Sequence, residues 1–294
     1  MTDLAPGPVT YHRTTRDVVV VEGDDAATYL QGQLSQDVAA LAVGASAPAF
    51  VLSPQGKVAG WGRAHRTAPD RFEIDVDPGA GEAWQARLTR FLLRTKAEVT
   101  VRPSVPTLVV RGAVLEAGLA AVGPEVLGVD LVGWDGPGLP EALPAHAVEV
   151  DAEVAEAARI RAGVPAWGAE LDEDTIPATV GQWAIDESVS FTKGCYTGQE
   201  LVARIDSRGG NVPRHLAGLV VDGPAPAPGS PVEVDGEVVA TVTSAAADPA
   251  TGGSVALAFL PRSIELVPGG VPVAVGARPD GAALVPALVL PTPF

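Results

Sequence analysis

Short runs of apolar residues, separated by residues that favour turns, predict a chain built mainly from β-strands with a few helices. Four consecutive valines, Val18–Val21, predict a buried strand, and Asp24 is placed to cap the helix that follows. For the first part of the chain we predict a strand over 16–22, a helix over 24–33, three strands between 47 and 77, a helix over 78–94 and a strand over 97–102. This order lacks regular βαβ repeats, so it indicates an α+β fold with antiparallel sheets.

The pattern changes character at Pro213, after which almost no helical period remains. Before this point we predict that residues 108–110 begin a second αβ unit, that 128–144 form a loop or a reduced element and that 151–162 form a helix. Gly163 and Pro165 are placed to terminate that helix. After this point we predict six short strands, over 216–221, 232–234, 237–243, 255–260, 271–275 and 283–290. Short strands at this spacing favour a small barrel or sandwich.

A chain of 294 residues is long enough for two or three modest domains. We predict three: residues 1–104 as an N-terminal αβ lobe, 105–212 as a second αβ lobe, and 213–294 as a C-terminal β-barrel. The architecture expected is therefore two mixed αβ lobes with antiparallel sheets, followed by a barrel.

Composition narrows the class of protein. Hydrophobic residues make up 47% of the chain, which is enough for a globular core. No apolar run reaches the roughly 18 residues that a membrane-spanning helix needs, and residues 1–15 lack the pattern of a signal peptide. The single cysteine excludes an internal disulfide. We expect a cytoplasmic protein without a membrane association.

The charge balance and the single thiol exclude two further classes. A net charge of −16 opposes a general nucleic-acid surface, so direct binding of nucleic acid is not expected. Iron–sulfur clusters usually need four cysteines, sometimes with histidine in place of some. The four histidines here are scattered and form no short ligand pair. We therefore predict no metal site of the chain's own, and any role in cluster chemistry must be that of a helper.

One basic stretch departs from the acidic average. The period of three and four residues places three arginines on one face of the helix predicted over 78–94 and three apolar residues on another. The residues are Arg87, Arg90 and Arg94, and Trp84, Leu88 and Phe91. An amphipathic helix with a solvated basic face explains the pattern. The alternative is a dock for an anion, such as the glutamate tail of a folate or an acidic partner.

The segment Lys193–Glu200, with the sequence Lys-Gly-Cys-Tyr-Thr-Gly-Gln-Glu, holds the only cysteine. Thr197 and Glu200 have the spacing of a capping box, which predicts that a helix begins there. Cys195 then lies just outside a helix N-terminus, and Lys193 adds a positive charge nearby. Both influences favour the thiolate. The alternative is that a lone cysteine is a small buried hydrophobe.

This segment resembles the signature of the YgfZ family of folate-binding proteins. The family is related to the T-protein, the aminomethyltransferase of the glycine cleavage system, and to mitochondrial iron–sulfur assembly factors. Further likenesses follow in the family's order along most of the chain, at residues 23–38, 53–57, 159–165 and 236–244. The eight-residue signature is specific, whereas each of the other matches is individually weak. The resemblance implies two mixed lobes and a barrel around a central folate cavity.

The resemblance also bears on the reaction. T-proteins carry paired aspartates in the strand after the first hairpin turn, and this chain has Ala59 and Gly60 there. Neither side chain can exchange a proton. The resemblance therefore implies a retained folate scaffold without the carboxylate of an aminomethyltransferase.

By resemblance and side-chain chemistry, the cofactor is tetrahydrofolate or another reduced folate. The residues expected to contact it are Arg159, Tyr196, Gln199, Glu200 and Asp75. Arg159 suits a carboxylate, although a surface ion pair with Glu153 or Glu156 explains it equally well. Tyr196 is suited to stack on the ligand, although packing alone also explains it. Asp75 is suited to bind the pterin edge, although solvation at a strand end also explains it. Gln199 can donate and accept, and Glu200 is first of all the capping partner.

The function expected is that of a folate-binding accessory protein for iron–sulfur enzymes, such as tRNA-modifying enzymes with 4Fe–4S centres. Cys195 is the expected reactive group and Lys193 its activator. The thiol either forms a mixed disulfide or shares a metal with a partner, and the sequence leaves both open. One alternative is a one-carbon transferase that uses Asp37 or Asp75. Another is a scaffold protein with a vestigial pocket.

Overall fold

The structure is a computed structural model that describes residues 8–113, 115, 118–120, 128–136, 138–267, 270–276 and 285–292. The chain divides into two compact units. The first unit holds the described residues of Met1–Val122, Val126–Val150 and Ile185–Ala203. The second holds those of Asp151–Ala184 and Arg204–Phe294.

The first unit is built on one sheet of eight strands. The strands are β1 (Thr10–Glu22), β2 (Ser46–Leu52), β3 (Val58–Ala68), β4 (Arg71–Val76), β5 (Glu98–Arg111), β6 (Leu119–Ala120), β7 (Gly128–Val132) and β8 (Val148–Glu149). Their order is β2-β3-β4-β1-β5-β7-β6, with β8 paired to β1. All pairs are antiparallel except the short pair of β1 with β8.

The valine-rich strand β1 lies inside this sheet because it pairs with a strand on each side and buries residues 17–21. Val19 lies opposite Ile74 on β4 and Val101 on β5. Two helices, α1 (Ala26–Gln33) and α2 (Gly81–Thr89), bury Leu30 and Trp84 against the unit's core. The strands predicted at 16–22, 47–77 and 97–102 are confirmed, although β1 and β5 are longer than predicted.

The predicted end of the first helix at Gln33 is confirmed, whereas its predicted N-cap and the predicted bounds of the second helix are wrong. Asp25, not Asp24, occupies the N-cap of α1, and its carboxylate accepts a hydrogen bond from the Lys96 backbone N–H at 2.8 Å. Helix α2 ends at Thr89 and does not continue to Arg94, whose φ of 56° is left-handed. The three arginines therefore do not share one helical face. The chain turns after α2, which also leaves Phe91 exposed.

The predicted boundary between residues 104 and 105 lies inside β5. This strand pairs with β1 from Glu98 to Arg111, with one irregularity opposite Arg16–Val18. Residues 108–110, predicted to begin a second unit, continue the same strand. Part of the segment predicted as a loop or a reduced element forms the short strand β7, which fits the second alternative. The division into three domains stays a prediction.

The second unit contains a closed barrel of six strands. They are β9 (Arg214–Val221), β10 (Pro231–Val234), β11 (Glu237–Asp248), β12 (Gly253–Pro261), β13 (Val271–Val275) and β14 (Val285–Pro291), in the order β10-β11-β12-β9-β14-β13. Val, Leu and Ala side chains fill its core. The predicted α+β fold with a C-terminal barrel is confirmed. Residues 283 and 284 of the last predicted strand lie outside the described residues.

The remaining helices are α3 (Ala152–Arg161), α4 (Gln182–Ser188) and α5 (Gln199–Asp206). The predicted helix at 151–162 is confirmed as α3. Asp151 caps it by accepting a hydrogen bond from the Val154 N–H at 2.9 Å. Gly163 follows with a left-handed φ of 63°, and a Cβ there would lie 2.4 Å from Thr292 Cβ, so only glycine fits. Across the described residues, we find no helix of the length and apolarity that crossing a membrane requires.

Candidate functional site

The signature segment is anchored to the end of α1 by the ammonium group of Lys193. Lys193 Nζ donates hydrogen bonds to the carbonyl oxygens of Gln31, Leu34 and Gln36, at 2.6, 2.7 and 2.9 Å. These carbonyls lie at or just after the helix C-terminus, where backbone acceptors lack helical partners and a cation is favoured. Lys193 thus anchors the segment to the last turn of α1 and to the residues that follow it. Its predicted role as activator of the thiol stays a prediction.

Burial perturbs two groups of this segment. It lowers the pKa of Lys193 to about 8, although the nearby carboxylate of Asp37 acts in the opposite direction. It raises the pKa of the Tyr196 phenol to about 12, so this hydroxyl stays protonated at neutral pH. The ammonium group lies 5.1 Å from the centre of the Tyr196 ring, which adds a cation–π contact. Lys193 and Tyr196 thus form the buried base of the segment.

Cys195 is exposed at the tip of this segment. The alternative of a buried cysteine is therefore wrong. Phe191, two residues before this segment, exposes 49% of its surface. The thiol lies on the solvent side of the same turn that buries Tyr196, so it is accessible to a partner or a reagent.

The predicted capping box is wrong by one residue. Helix α5 begins at Gln199, which places Gly198, not Thr197, at the N-cap position. The Gln199 side chain accepts a hydrogen bond from the Tyr196 N–H at 3.1 Å. Glu200 is an exposed residue of the first helical turn. Gln199 therefore holds the turn that Glu200 was expected to hold.

Two glycines place the segment against the first β-hairpin, a contact that sequence reasoning missed. Gly198 has a φ of 82°, and a Cβ there would lie 2.4 Å from the Ser53 carbonyl oxygen. In the β2–β3 turn, Gly56 has a φ of 80°, and its Cβ would lie 2.5 Å from Leu201 Cβ. Both positions require glycine for conformation and for space. Both glycines belong to stretches that resemble the family, so the sequence did mark them. It did not show which segments they bring together.

A cavity of about 430 Å³ lies within the first unit. Asp75 of β4 and Asp130 of β7 line it, together with His65, Glu73 and Trp134. Its volume falls within the range of about 300–1,000 Å³ that is usual for small-molecule sites. Cys195 does not line this cavity. The sequence placed Asp75 at a strand end, but β4 continues to Val76 and Asp75 is buried.

Buried ion pairs hold the carboxylates of this cavity. Arg63 donates from Nε and from a terminal nitrogen to Asp75, at 2.9 and 3.1 Å, and it reaches Asp130 at 3.2 Å. Arg16 Nε lies 3.4 Å from Asp75. Burial raises the pKa of Asp130, but Arg111 and Arg63 outweigh this, so the net pKa is lower than usual. The cavity thus presents fixed, charged acceptors.

Strand β3 connects the cavity with the segment that precedes the signature. Alternate residues of a strand share one face, so Trp61 lies on the same face as Arg63 and His65. The Trp61 Nε1–H donates to Ser188 Oγ at 3.0 Å. The Trp61 ring also stacks on Phe50 with 6.1 Å between centroids. Trp61 was not among the predicted site residues, because a lone tryptophan in a strand carries no specific signal.

The two positions that lack the T-protein aspartates lie at the start of β3. Gly60 is packed under Trp84, and a Cβ there would lie 2.2 Å from the indole Nε1. A side chain at position 60 therefore requires the Trp84 indole to move. The sequence has no carboxylate at position 60, and the packing of Trp84 leaves no room for one.

Arg159 belongs to the second unit, where it serves a buried carboxylate. It donates to Glu170 at 3.1 Å and to Glu156 at 2.6 Å. Glu170 is buried and accepts hydrogen bonds from the hydroxyls of Thr243 and Ser244 on β11, each at 2.6 Å. The ion-pair interpretation of Arg159 therefore holds for Glu156, and the same guanidinium also pairs with Glu170. Its folate contact stays a prediction.

Comparison with known proteins agrees with this fold. The Glycine cleavage T-protein C-terminal barrel domain matches residues 214–294. The tRNA-modifying protein YgfZ of Edwardsiella ictaluri is 29% identical over 216 residues, which cover 65% of this chain and 65% of that protein. An uncharacterized protein of Haemophilus influenzae is 28% identical over 217 residues, 67% of this chain and 69% of that protein. These similarities support a YgfZ-like protein of the glycine cleavage T-protein superfamily.

Two aminomethyltransferases extend the likeness over nearly the whole YgfZ-like chain. The aminomethyltransferase of Streptomyces avermitilis is 27% identical over 285 residues, which cover 95% of this chain but 61% of that protein. The crystal structure of aminomethyltransferase T from Bartonella henselae superposes with a TM-score of 0.76 at 18% identity, covering 98% of this chain and 86% of that one. This structural match shows the fold. The chain spans less than two thirds of the Streptomyces and Edwardsiella relatives.

Proposed function

We propose that this chain is a folate-binding accessory protein that supports iron–sulfur enzymes, such as tRNA-modifying enzymes. The observation that carries the proposal is the combination of an exposed Cys195 with a separate cavity lined by Asp75, on a fold shared with aminomethyltransferases. The relative named as a tRNA-modifying protein supports the choice of client. We place the protein in the cytoplasm, where a single free thiol stays reduced.

The cavity fits the pterin part of a reduced folate. A pterin offers an amino group and a ring N–H as donors, and the Asp75 and Asp130 carboxylates are acceptors for such groups. Trp134 supplies an aromatic wall. When bound, the folate supplies one-carbon chemistry, and the residues of this chain orient it. Tyr196, Gln199, Glu200 and Arg159 stay residues that we propose to contact folate.

The folate part of the proposal is tested with 5-formyltetrahydrofolate as the probe. We expect binding to the wild-type chain in calorimetry, and about tenfold weaker binding to Asp75→Asn, since a buried charged acceptor is lost. The matched control is Asp77→Asn, because Asp77 also pairs with Arg16 but does not line the cavity. A wild-type chain that gives no heat, or two variants that weaken equally, contradicts folate in this cavity.

The thiol part is tested separately with Cys195→Ser. We expect this variant to bind the folate like the wild type, because Cys195 does not line the cavity. In cells that lack the protein, we expect it to fail to restore the activity of iron–sulfur enzymes. Full restoration by the serine variant excludes an essential thiol and leaves the folate site untouched.

A second candidate is a folate-dependent one-carbon transferase, favoured by the relatives named aminomethyltransferase. Its carboxylate would be Asp37 or Asp75. Asp37 accepts a hydrogen bond from Gln31 at 2.8 Å, and Asp75 is paired with Arg63. Turnover of an aminomethyl donor with tetrahydrofolate separates this candidate from the accessory role. Equal affinity for a client enzyme with and without folate favours the third candidate, a scaffold with a vestigial pocket.

A further inference from the structure

Two neighbouring strands of the barrel separate near one end. The pairing of β11 with β12 runs from Asp248 only as far as Val242, which lies opposite Ala258. Beyond this point, residues 237–241 of β11 pair with β10, and residues 259–261 of β12 pair with β9. A register shift next to Val242 marks the position where the strands separate. A gap therefore opens between the two diverging strand ends.

This gap forms a concave, mainly apolar groove with a volume of about 510 Å³. We call it the β11–β12 groove and define it by Arg214, Val238, Ala240, Thr241, Phe259 and Pro261. Val238 exposes 58% of its surface, which is high for a valine in a strand. All these residues belong to the second unit, and none contributes to the cavity of the first unit.

One wall of the groove offers backbone groups for pairing. The Val242 N–H donates to the Ser230 carbonyl at 2.9 Å, and the Val242 carbonyl accepts from the Gly229 N–H at 2.8 Å. The backbone of Val242 is thus directed towards the β10 side. Because successive residues of a strand direct these groups to opposite sides, Thr241 directs its N–H and C=O into the groove. Among the described residues, no strand pairs with Thr241 on the groove side. Such an open strand edge is a template for another strand.

The other wall carries a cation. The Arg214 guanidinium lies over the Phe259 ring, with 4.8 Å between Cζ and the ring centroid. The Arg214 side chain is exposed, and no ion pair of Arg214 occurs within the described residues. The chain as a whole has a net charge of −16, but this cation favours an acidic group on a molecule that binds in the groove.

We propose that the β11–β12 groove binds an extended peptide segment of a partner protein. The segment pairs with the backbone at Thr241, packs its apolar side chains on Val238 and Phe259, and places an acidic side chain against Arg214. The strand edge selects an extended backbone, the apolar walls select alternate side chains, and the arginine sets the charge of the ligand. The proposal does not depend on folate binding.

The test uses a phage-displayed library of random heptapeptides, selected on the full chain. We expect enriched peptides that alternate apolar residues and contain at least one Asp or Glu. For the best peptide, measured by fluorescence anisotropy, we expect about tenfold weaker binding to Val238→Lys and to Arg214→Glu. Both residues are exposed, so the variants keep the fold. The matched control is Val43→Lys, since Val43 exposes 56% of its surface in the first unit.

Three results overturn the proposal. The first is a selection that enriches no peptide above the level found with Val238→Lys. The second is an enriched peptide that binds both groove variants as tightly as the wild type. The third is a concentration-dependent dimer in size-exclusion chromatography that Val238→Lys abolishes, because the occupant is then a second copy of this chain.

Discussion

At the scale of single residues, the signature combines one half-buried cation with one exposed thiol. Lys193 donates to three carbonyls at the end of α1, while Cys195 lies on the surface of the same turn. The sequence identified both residues but not their separate roles, because the carbonyls that Lys193 contacts are about 160 positions away from it along the chain. Lys193 is therefore a positioning residue for the segment that carries the thiol.

We expect Lys193→Met to destabilise the protein, because methionine keeps a long unbranched side chain but leaves three carbonyls without their donor. The expected loss in the free energy of unfolding is about 1–3 kcal/mol. Urea denaturation measures it. Lys96→Met is the control, since the Lys96 side chain is 79% exposed and its nearest carboxylate, Asp24, is 3.8 Å away. Its expected change is within about 0.5 kcal/mol.

Equal stabilities of these two lysine variants contradict the anchoring role of Lys193. A second measurement tests positioning as distinct from stability. At a urea concentration where both proteins stay folded, the Cys195 thiol of Lys193→Met should react with a thiol reagent at a different rate from that of Lys96→Met. Identical rates mean that the anchor does not affect the thiol.

At the scale of elements, the glycines of the signature and of the first hairpin turn decide how two distant segments pack. Gly198 needs a left-handed φ and contacts the Ser53 carbonyl more closely than a side chain allows. Gly194 belongs to the same segment, and a Cβ there meets nothing within 4 Å. A comparison of Gly198 with Gly194 therefore separates the effect of a required backbone conformation from that of simple proximity to Cys195.

We expect Gly198→Ala to cost about 1–3 kcal/mol in the free energy of unfolding, because strained backbone and a short contact add. Gly194→Ala is expected to change it by less than about 0.5 kcal/mol. Thermal or urea unfolding of both variants measures the difference. If both alanines cost the same, the signature glycine is not fixed by the hairpin contact.

The sequence predicted elements well where one pattern dominates and poorly where a tertiary contact decides. The barrel strands were found because Gly, Pro and Asp separate them clearly. The continuation of β5 through residue 105 was missed, because Pro103 and Pro106 resemble breaks, whereas pairing with β1 carries the strand past them. The end of α2 was missed because Arg94 continues a helical period but adopts a left-handed φ. Local pattern cannot show which partner an element will find.

The same limit applies to the candidate site. The signature residues were found because their spacing is specific. The ion pairs of Asp75 with Arg63 and Arg16 were not, because no local pattern joins these three strands. Trp61 and the glycine contacts were missed for the same reason. Residues that act through distant partners need the structure to be recognised.

At the scale of the whole molecule, two compact units with separate cores predict different responses to acid. His215 lies on β9 of the barrel, and among the described residues its Nε2 is buried without a hydrogen-bond partner. Burial lowers the pKa of His215 below 6.5. As the pH falls through 6.5, His215 binds a proton in the unfolded chain before it does so in the folded chain. The free energy of unfolding therefore falls with falling pH in this window.

We expect His215→Leu to remove this contribution, so that the barrel unit loses less stability than the wild type between about pH 7.5 and 5.5. Native-state hydrogen exchange measures it, because amides of β9 and β12 report on the barrel and amides of β1 and β4 report on the first unit. His146→Leu is the control, since His146 is exposed and lies in the first unit. A wild-type barrel that is equally protected at both pH values rules out the histidine effect. A His215→Leu effect of equal size in both units shows instead that the two units unfold as one, because independent units can lose stability separately.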